Sequence, residues 1–308
     1  MIQEISQEIK KILSNYTTED TLILNNTTYP LHQKYFINIY QKTKQNITFV
    51  DGGNAEILAS GNFCLSFIRI AAITFPEKII DKHEFYLFTK AEWKNNDLYY
   101  NSKIFSLTKK LIEEEDLYIS SNDSSIKTGN ERAPVTKIAS MARRFAEIKL
   151  ASKFSHHVLL DGSLEPTYKN EEKYLALLPK TAGAIAKSSS LFTTSGNSPV
   201  VLLNKIGPEN CWRYQVNEKT SFVKLHPQAK HVFRFEGNEE ILQSLIDNSN
   251  DALFLGYPYG LILVDKIARV SNQEKNSLKM KFLLNKENKE ISEYLRTADA
   301  HSILDNLG

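Results

Sequence analysis

Two stretches carry the residue types that could do chemistry. Phe49-Val50-Asp51-Gly52-Gly53 closes a mostly apolar run that begins at Ile47, and Val158-Leu159-Leu160-Asp161-Gly162-Ser163 repeats the device later in the chain. Each reads as a buried strand that delivers a carboxylate to its own end and then turns at glycine. Two strand-end aspartates can share a site if their strands are neighbours. Glu147, on the helix that leads into the second stretch, is a candidate third carboxylate, and His301 on the last helix adds a nitrogen donor. This set has oxygen and nitrogen donors and no thiolate, which suits Mg²⁺ or Mn²⁺ better than a structural zinc. Two such ions about 4 Å apart activate a water and stabilise the leaving oxygen of a phosphodiester. Lys187 sits in Ala186-Lys187-Ser188-Ser189-Ser190, a small polar neighbourhood that a phosphate could approach closely.

Each of these residues also has a plain structural reading. Asp-Gly pairs make ordinary turns. Glu147 lies four residues from Arg143 and three from Arg144, which a surface ion pair explains. Lys187 reads equally as a surface lysine, and a lone helical His301 as a packed or capping residue.

The elements that must position these groups follow from the pattern. Ile47 to Asp51, Ala55 to Ser60, Phe63 to Phe75 and Glu84 to Thr89 read as strands of an antiparallel meander, with Gly61-Asn62 as a hairpin loop and Gly52-Gly53 as a turn. Residues 113 to 136 hold a charged and Ser/Asn-rich run, read as a solvated loop or a mobile flap. A helix is predicted from Pro134, with Ile138, Met141, Ala142, Phe145 and Ile148 as its apolar stripe. Further strands are predicted at 199–203, 211–216, 221–225 and 231–235, helices at 171–178, 238–248 and 289–307, and a turn at Gly256-Tyr257-Pro258-Tyr259-Gly260. Before all this, Ile2, Ile5, Ile9 and Ile12 mark an amphipathic helix that either packs on its own domain or docks a partner or second subunit, and residues 17–40 read as turns with a short helix. The expected organisation is an N-terminal helical extension, 1–45, and one large domain, 46–308.

Composition narrows the classes. The 308 residues carry 38 basic and 36 acidic side chains, a formal charge of +2, so any nucleic-acid surface must be local. Two distant cysteines, Cys64 and Cys211, argue against a disulfide framework and a zinc ribbon. No apolar run approaches the roughly 20 residues of a membrane span, and the charged first residues do not read as a signal peptide. The expected location is cytoplasmic.

The blocks Phe49 to Gly53, Arg143/Arg144 to Glu147, Leu159 to Leu164, Ala186 to Ser189, Gly256 to Gly260 and Asp299-Ala300-His301-Ser302-Ile303-Leu304-Asp305 stand in an order that resembles the NurA nuclease family. The resemblance implies an α/β fold with an RNase H-like mixed sheet flanked by helices, related to the nuclease domain of Argonaute-type proteins. It implies a manganese-dependent DNA nuclease, a 5′-to-3′ exonuclease and single-strand endonuclease. In the family such enzymes work as homodimers with a HerA-type hexameric ATPase in processing double-strand break ends in archaea. Carried over, Asp51, Glu147, Asp161 and His301 would hold the metal, with Glu165 or a glutamate from the loop before the helix as an alternative to Glu147. Lys187 would contact a phosphate, and Tyr257, Tyr259 and Arg269 would lie near DNA.

Two rival readings use the same residues. An actin-like or sugar-kinase-like ATPase would show two related halves and glycine-dense phosphate turns; the chain has 12 glycines and no clear duplication. A non-catalytic scaffold would keep the fold and bind DNA or a partner.

Overall fold

The computed structural model describes residues 1–14, 20–40, 45–187 and 191–298. In chain order they form α1 (Ile2–Ser14), β1 (Asp20–Leu24), β2 (Thr27–Leu31), β3 (Phe36–Asn38), β4 (Ile47–Ser60), β5 (Phe63–Phe75), β6 (Ile79–Lys94), β7 (Asp97–Ser106), β8 (Ile119–Ser120), α2 (Lys137–Ala151), β9 (His157–Asp161), α3 (Glu171–Leu175), β10 (Ala182–Ala186), β11 (Phe192–Thr193), α4 (Pro199–Ile206), β12 (Trp212–Gln215), β13 (Thr220–Lys224), β14 (Phe233–Gly237), α5 (Glu240–Asn248), α6 (Tyr259–Ala268), α7 (Asn272–Leu283) and α8 (Lys289–Ala298). Two compact units draw on alternating stretches of chain. The first takes Met1–Gln45, Asp161–Leu164 and Lys180–Tyr259, and the second takes Asn46–Leu160, Glu165–Pro179 and Gly260–Gly308. Among the described residues, no helix is long and apolar enough to cross a membrane.

The second unit is built on the meander. Strands β4 to β8 pair antiparallel in sequence order, and β9 joins the other side of β4 in parallel, from Ile47↔His157 to Val50↔Leu160. Five antiparallel strands, then helix α2, then a strand parallel to the first give a mixed α/β sheet. Helix α2 packs on β4 and β5. Its predicted stripe is the buried face: Ile138, Met141, Ala142, Phe145 and Ile148 are all shielded from solvent. Pro134 precedes the helix in a turn closed by the Lys137 amide on the Pro134 carbonyl at 3.0 Å.

Residues 113–136 are not solvated throughout. Leu117, Ile119, Ile126, Ala133 and Val135 are buried, and Asp116 accepts hydrogen bonds from Lys173 at 2.6 Å and the Tyr174 hydroxyl at 2.6 Å. Burial, then the Asp116 bond, pushes the Tyr174 phenol above its ordinary value. Isolated apolar anchors in a polar composition fasten this segment down.

The first unit contains a small sheet in the order β11-β1-β2, and the antiparallel run β3-β12-β13-β14-β10. Its core gathers Leu22, Leu31, Leu202, Leu203, Trp212, Tyr214 and Phe222. Residues 20–38 are thus largely strand, where the sequence suggested turns and a short helix in a helical extension. Asn25 and Asn26, with φ of 50° and 60°, close a tight hairpin that lets polar Thr27-Thr28 pair with Leu24 and Ile23. The stretch from Pro199 is a helix and not a strand. The β-branched pair Val200-Val201 suggested a strand, but Pro199 occupies the first helical turn, and Leu202 and Leu203 are buried while Val201 is exposed.

Candidate active site

Asp51 does not stand at the end of its strand. β4 runs without a break from Ile47 through both glycines to Ser60, paired residue by residue with β5 up to an irregularity between Glu56 and Leu58. The predicted turn at Gly52-Gly53 is therefore absent, and the glycines answer a different need. A Cβ on Gly52 would lie 2.5 Å from Glu147 Oε1 and 2.9 Å from Arg143 Cγ. A Cβ on Gly53 would run into the Ala268 carbonyl at the end of α6. Each glycine admits a neighbour to the strand backbone: α2 on one face, α6 on the other.

This alternation locates the acids. In a strand, successive side chains leave on opposite faces. Asp51 therefore starts out on the face of Gly53, while Glu147 meets the strand at Gly52. Asp51 is 7% exposed, and its Oδ1 accepts the Gly52 amide at 2.7 Å. Glu147 is buried, and its Oε1 takes a hydrogen bond from Arg143 Nη1 at 2.5 Å. The same Arg143 nitrogen donates to the Gly52 carbonyl at 3.0 Å, so Arg143 ties α2 to the segment that carries Asp51. Arg144 reaches both ways: its Nη1 lies 3.9 Å from Glu147 Oε2, and its Nε donates to the fully buried Glu171 at 2.8 Å, which also accepts the amides of Thr167 and Tyr168.

Asp161 is the strand-end acid the sequence predicted. β9 stops there, and Gly162 has φ of 109°, a backbone state that only glycine adopts without strain. The Gly162 amide donates to the Ile185 carbonyl at 2.9 Å. Beyond it, Glu236 accepts from the Ser163 hydroxyl at 3.0 Å and from the Leu164 amide at 2.7 Å. Arg234 supports that carboxylate at 2.7 Å. Glu236 is buried on β14 and fixes the loop behind Asp161. Sequence reading missed it, because its pairing with the loop is set by strand order and leaves no local spacing signal.

Lys187 comes together with Asp161. Its Nζ donates to Asp161 Oδ2 at 2.5 Å and lies 5.6 Å from the centre of the Tyr257 ring. Tyr257 is 4% exposed and packs on Phe233 and Phe254, with the exposed Lys187 against its ring. Tyr259 opens α6 half-buried, and Arg269 is exposed at the other end of that helix, paired with Asp265 at 2.5 Å. Glu165 is half-buried. His301, and Ser188 to Ser190 beside Lys187, lie outside the described residues.

Asp51 and Asp161 each follow directly on Val50↔Leu160, the last matched pair of the parallel β4–β9 ladder. Among the described residues, no three His, Cys, Asp or Glu side chains cluster as a metal ion would need. Both acids are carboxylates, the oxygen donors that a hard divalent cation takes. Asp161 is already charge-compensated by Lys187, and Glu147 by Arg143.

No family model matches the chain, and no curated protein matches it in sequence. Among solved structures it is similar to the NurA nuclease from Sulfolobus solfataricus, with 12% identity and a TM-score of 0.51 over 97% of this chain and 96% of that one. Human ENDOV follows at 10% identity and a TM-score of 0.38, over 80% and 94% of the two chains. Argonaute from A. aeolicus has 13% identity and a TM-score of 0.30, over 74% of this chain and 28% of its own. The chain has the α/β fold of the NurA nuclease along nearly its whole length, as the motif order led us to expect.

Proposed function

We propose that this protein is a metal-dependent deoxyribonuclease in which Asp51 and Asp161 hold the cation. The observation that carries the reading is the placement of both acids immediately beyond the last pair of a parallel ladder, in a chain with a nuclease fold. Mn²⁺ or Mg²⁺ bound there would supply Lewis-acid charge to a phosphodiester and lower the pKa of an attacking water. The remaining roles fall to the chain's own side chains. Lys187 is held by Asp161 against the Tyr257 ring, and it can turn its ammonium toward a phosphate oxygen. Arg143 and Glu147 clamp the strand at Gly52, which fixes the neighbouring Asp51. Glu236 does the same for the loop behind Asp161. Arg269, exposed, would meet the nucleic-acid backbone, and His301 would complete the ligand set.

With a net charge of +2, the chain has little general grip on a polyanion. The reading therefore includes a homodimer fed by a HerA-type translocating ATPase, in resection of double-strand break ends. The test is cleavage of end-labelled single- and double-stranded DNA with and without Mn²⁺, and with and without the ATPase. The expected result is metal-dependent cleavage that is weak alone and stimulated by the ATPase. Equal degradation of long duplex with and without the ATPase would remove the partner, and no cleavage with any divalent metal would remove the nuclease.

A further inference from the structure

One guanidinium ties the turn between α6 and α7 to the sheet beside Asp51. In the ladder β4–β5–β6, Gly53 stands opposite Arg69, and Arg69 opposite Glu84. Residues opposite one another share a face, so Arg69 and Glu84 start out on the face of Gly53 and Asp51. Arg69 Nε donates to Glu84 Oε1 at 2.6 Å. Its Nη1 donates to the Arg269 carbonyl and to Glu274 Oε2, each at 3.2 Å, and its Nη2 pairs with the other Glu274 oxygen. The Arg69 side chain is 12% exposed.

The planar fork of arginine thus meets two carboxylates and a backbone carbonyl at once, which the single ammonium of lysine does not match. The turn depends on this contact, because α7 brings little else to it. None of the α7 residues is buried, and the anchors of that helix begin only at Leu278. Glu274 lies in its first turn, held by Arg69 and by its own amide on Ser271 Oγ at 3.1 Å. From the other side, a Cβ on Gly53 would lie 2.3 Å from the Ala268 carbonyl oxygen and 3.2 Å from Arg269 Cα. The backbone of Arg269 therefore sits against β4 at Gly53, two residues beyond Asp51, or about 7 Å along the strand.

The side chain that leaves from this fixed base is open. Arg269 is 69% exposed and pairs with Asp265, one turn back on α6, at 2.5 Å. An exposed ion pair of this kind contributes little, and a phosphate offers an arginine a stronger, bidentate partner. We propose that Arg69 is a positioning residue for nucleic-acid binding: it fixes the backbone from which Arg269 reaches a phosphate of the strand bound at Asp51. The proposal rests on the reading of Asp51 as part of a nuclease site, and it adds a residue that itself touches no nucleic acid.

The test reads binding and not cleavage: fluorescence anisotropy of a labelled single-stranded oligonucleotide with the full chain, without divalent metal, over a range of salt. Arg269→Ala should weaken binding about 5- to 10-fold and flatten the slope of log affinity against log salt by about 0.7, as one lost phosphate contact does. Arg69→Lys keeps the charge and loses the fork, and it should weaken binding about 3-fold or more with a similar fall in slope. Glu274→Ala cuts the tie from the helix side, and binding should weaken there too, although the chain loses a negative charge. In the Arg269→Ala background neither change should weaken binding further. An Arg69 that only holds the fold would lower the thermal unfolding midpoint, leave the salt slope unmoved, and add its loss to that of Arg269→Ala. That additive result, undiminished binding in Arg69→Lys and Glu274→Ala, or a wild type that binds no DNA would each overturn the proposal. Additive losses beside intact metal-dependent cleavage would leave the nuclease reading standing, whereas the coupled losses in a chain that never cleaves would uphold the role of Arg69 and remove the nuclease.

Discussion

The two Asp-Gly pairs look alike in sequence and are built differently. Asp51-Gly52 lies inside a strand of 14 residues, and Asp161-Gly162 ends one of 5. At the first, glycine is needed for what lies beside it, because Glu147 and Arg143 occupy the space of a side chain. At the second, glycine is needed for its own backbone, at φ of 109°, and a Cβ there would meet nothing within 4 Å. Asp51 is buried and bonded to its own backbone, while Asp161 is partly open and holds Lys187. One dipeptide thus serves as a docking notch in one strand and as a chain reversal at the end of another. The acid that follows the ladder register is what they share.

The largest expected effect separates what the pairs share from what divides them. Asp51→Asn and Asp161→Asn should each lower DNA cleavage about 10³-fold, the loss of several kcal/mol of charge stabilisation. Next come the glycines. Gly52→Ala should destabilise by about 1–3 kcal/mol in urea unfolding, since Glu147, Arg143 and Ile70 must all give way. Gly162→Ala should cost about 1–2 kcal/mol through backbone strain alone. Shrinking the neighbour with Glu147→Ala should offset part of the first loss and none of the second. Equal behaviour of the two glycine variants in that background would dissolve the comparison.

Smaller effects distinguish ligands from supports. Glu147→Gln keeps the shape and loses the charge beside Arg143. If Glu147 clamps the strand, cleavage should fall about 10-fold with a lowered unfolding midpoint, a positioning loss of about 1.4 kcal/mol. A fall as deep as that of Asp51→Asn, with an unchanged midpoint, would make Glu147 a metal ligand. Glu236→Gln should cause a similar, milder fall by loosening the loop behind Asp161. Lys187→Ala should leave Mn²⁺ binding, read by calorimetry, equal or tighter, because Asp161 loses a competing cation, while cleavage declines.

Much of this was legible in the sequence. Both acids stood at the end of apolar runs, the meander announced itself by alternation and short turns, and α2 by its stripe. The failures have physical causes. Gly52-Gly53 looked like a turn because sequence cannot distinguish a glycine that bends from one that makes room. Val200-Val201 looked like strand because two β-branched residues in a short apolar run outweighed the proline before them. α7 was missed because a mostly polar sequence contributes only a few anchors, Leu278, Phe282 and Leu283, to its cluster. Glu236, and Arg143 in its bond to the Gly52 carbonyl, act through partners far along the chain, where single-sequence periodicity has no reach.

The most direct measurement is single-turnover cleavage of a labelled single-stranded DNA with Mn²⁺ by wild type, Asp51→Asn and Asp161→Asn, with thermal unfolding recorded for each. Metal-dependent cleavage by the wild type, lost in both variants without loss of fold, is the predicted result. Cleavage by both variants at the wild-type rate would contradict the account.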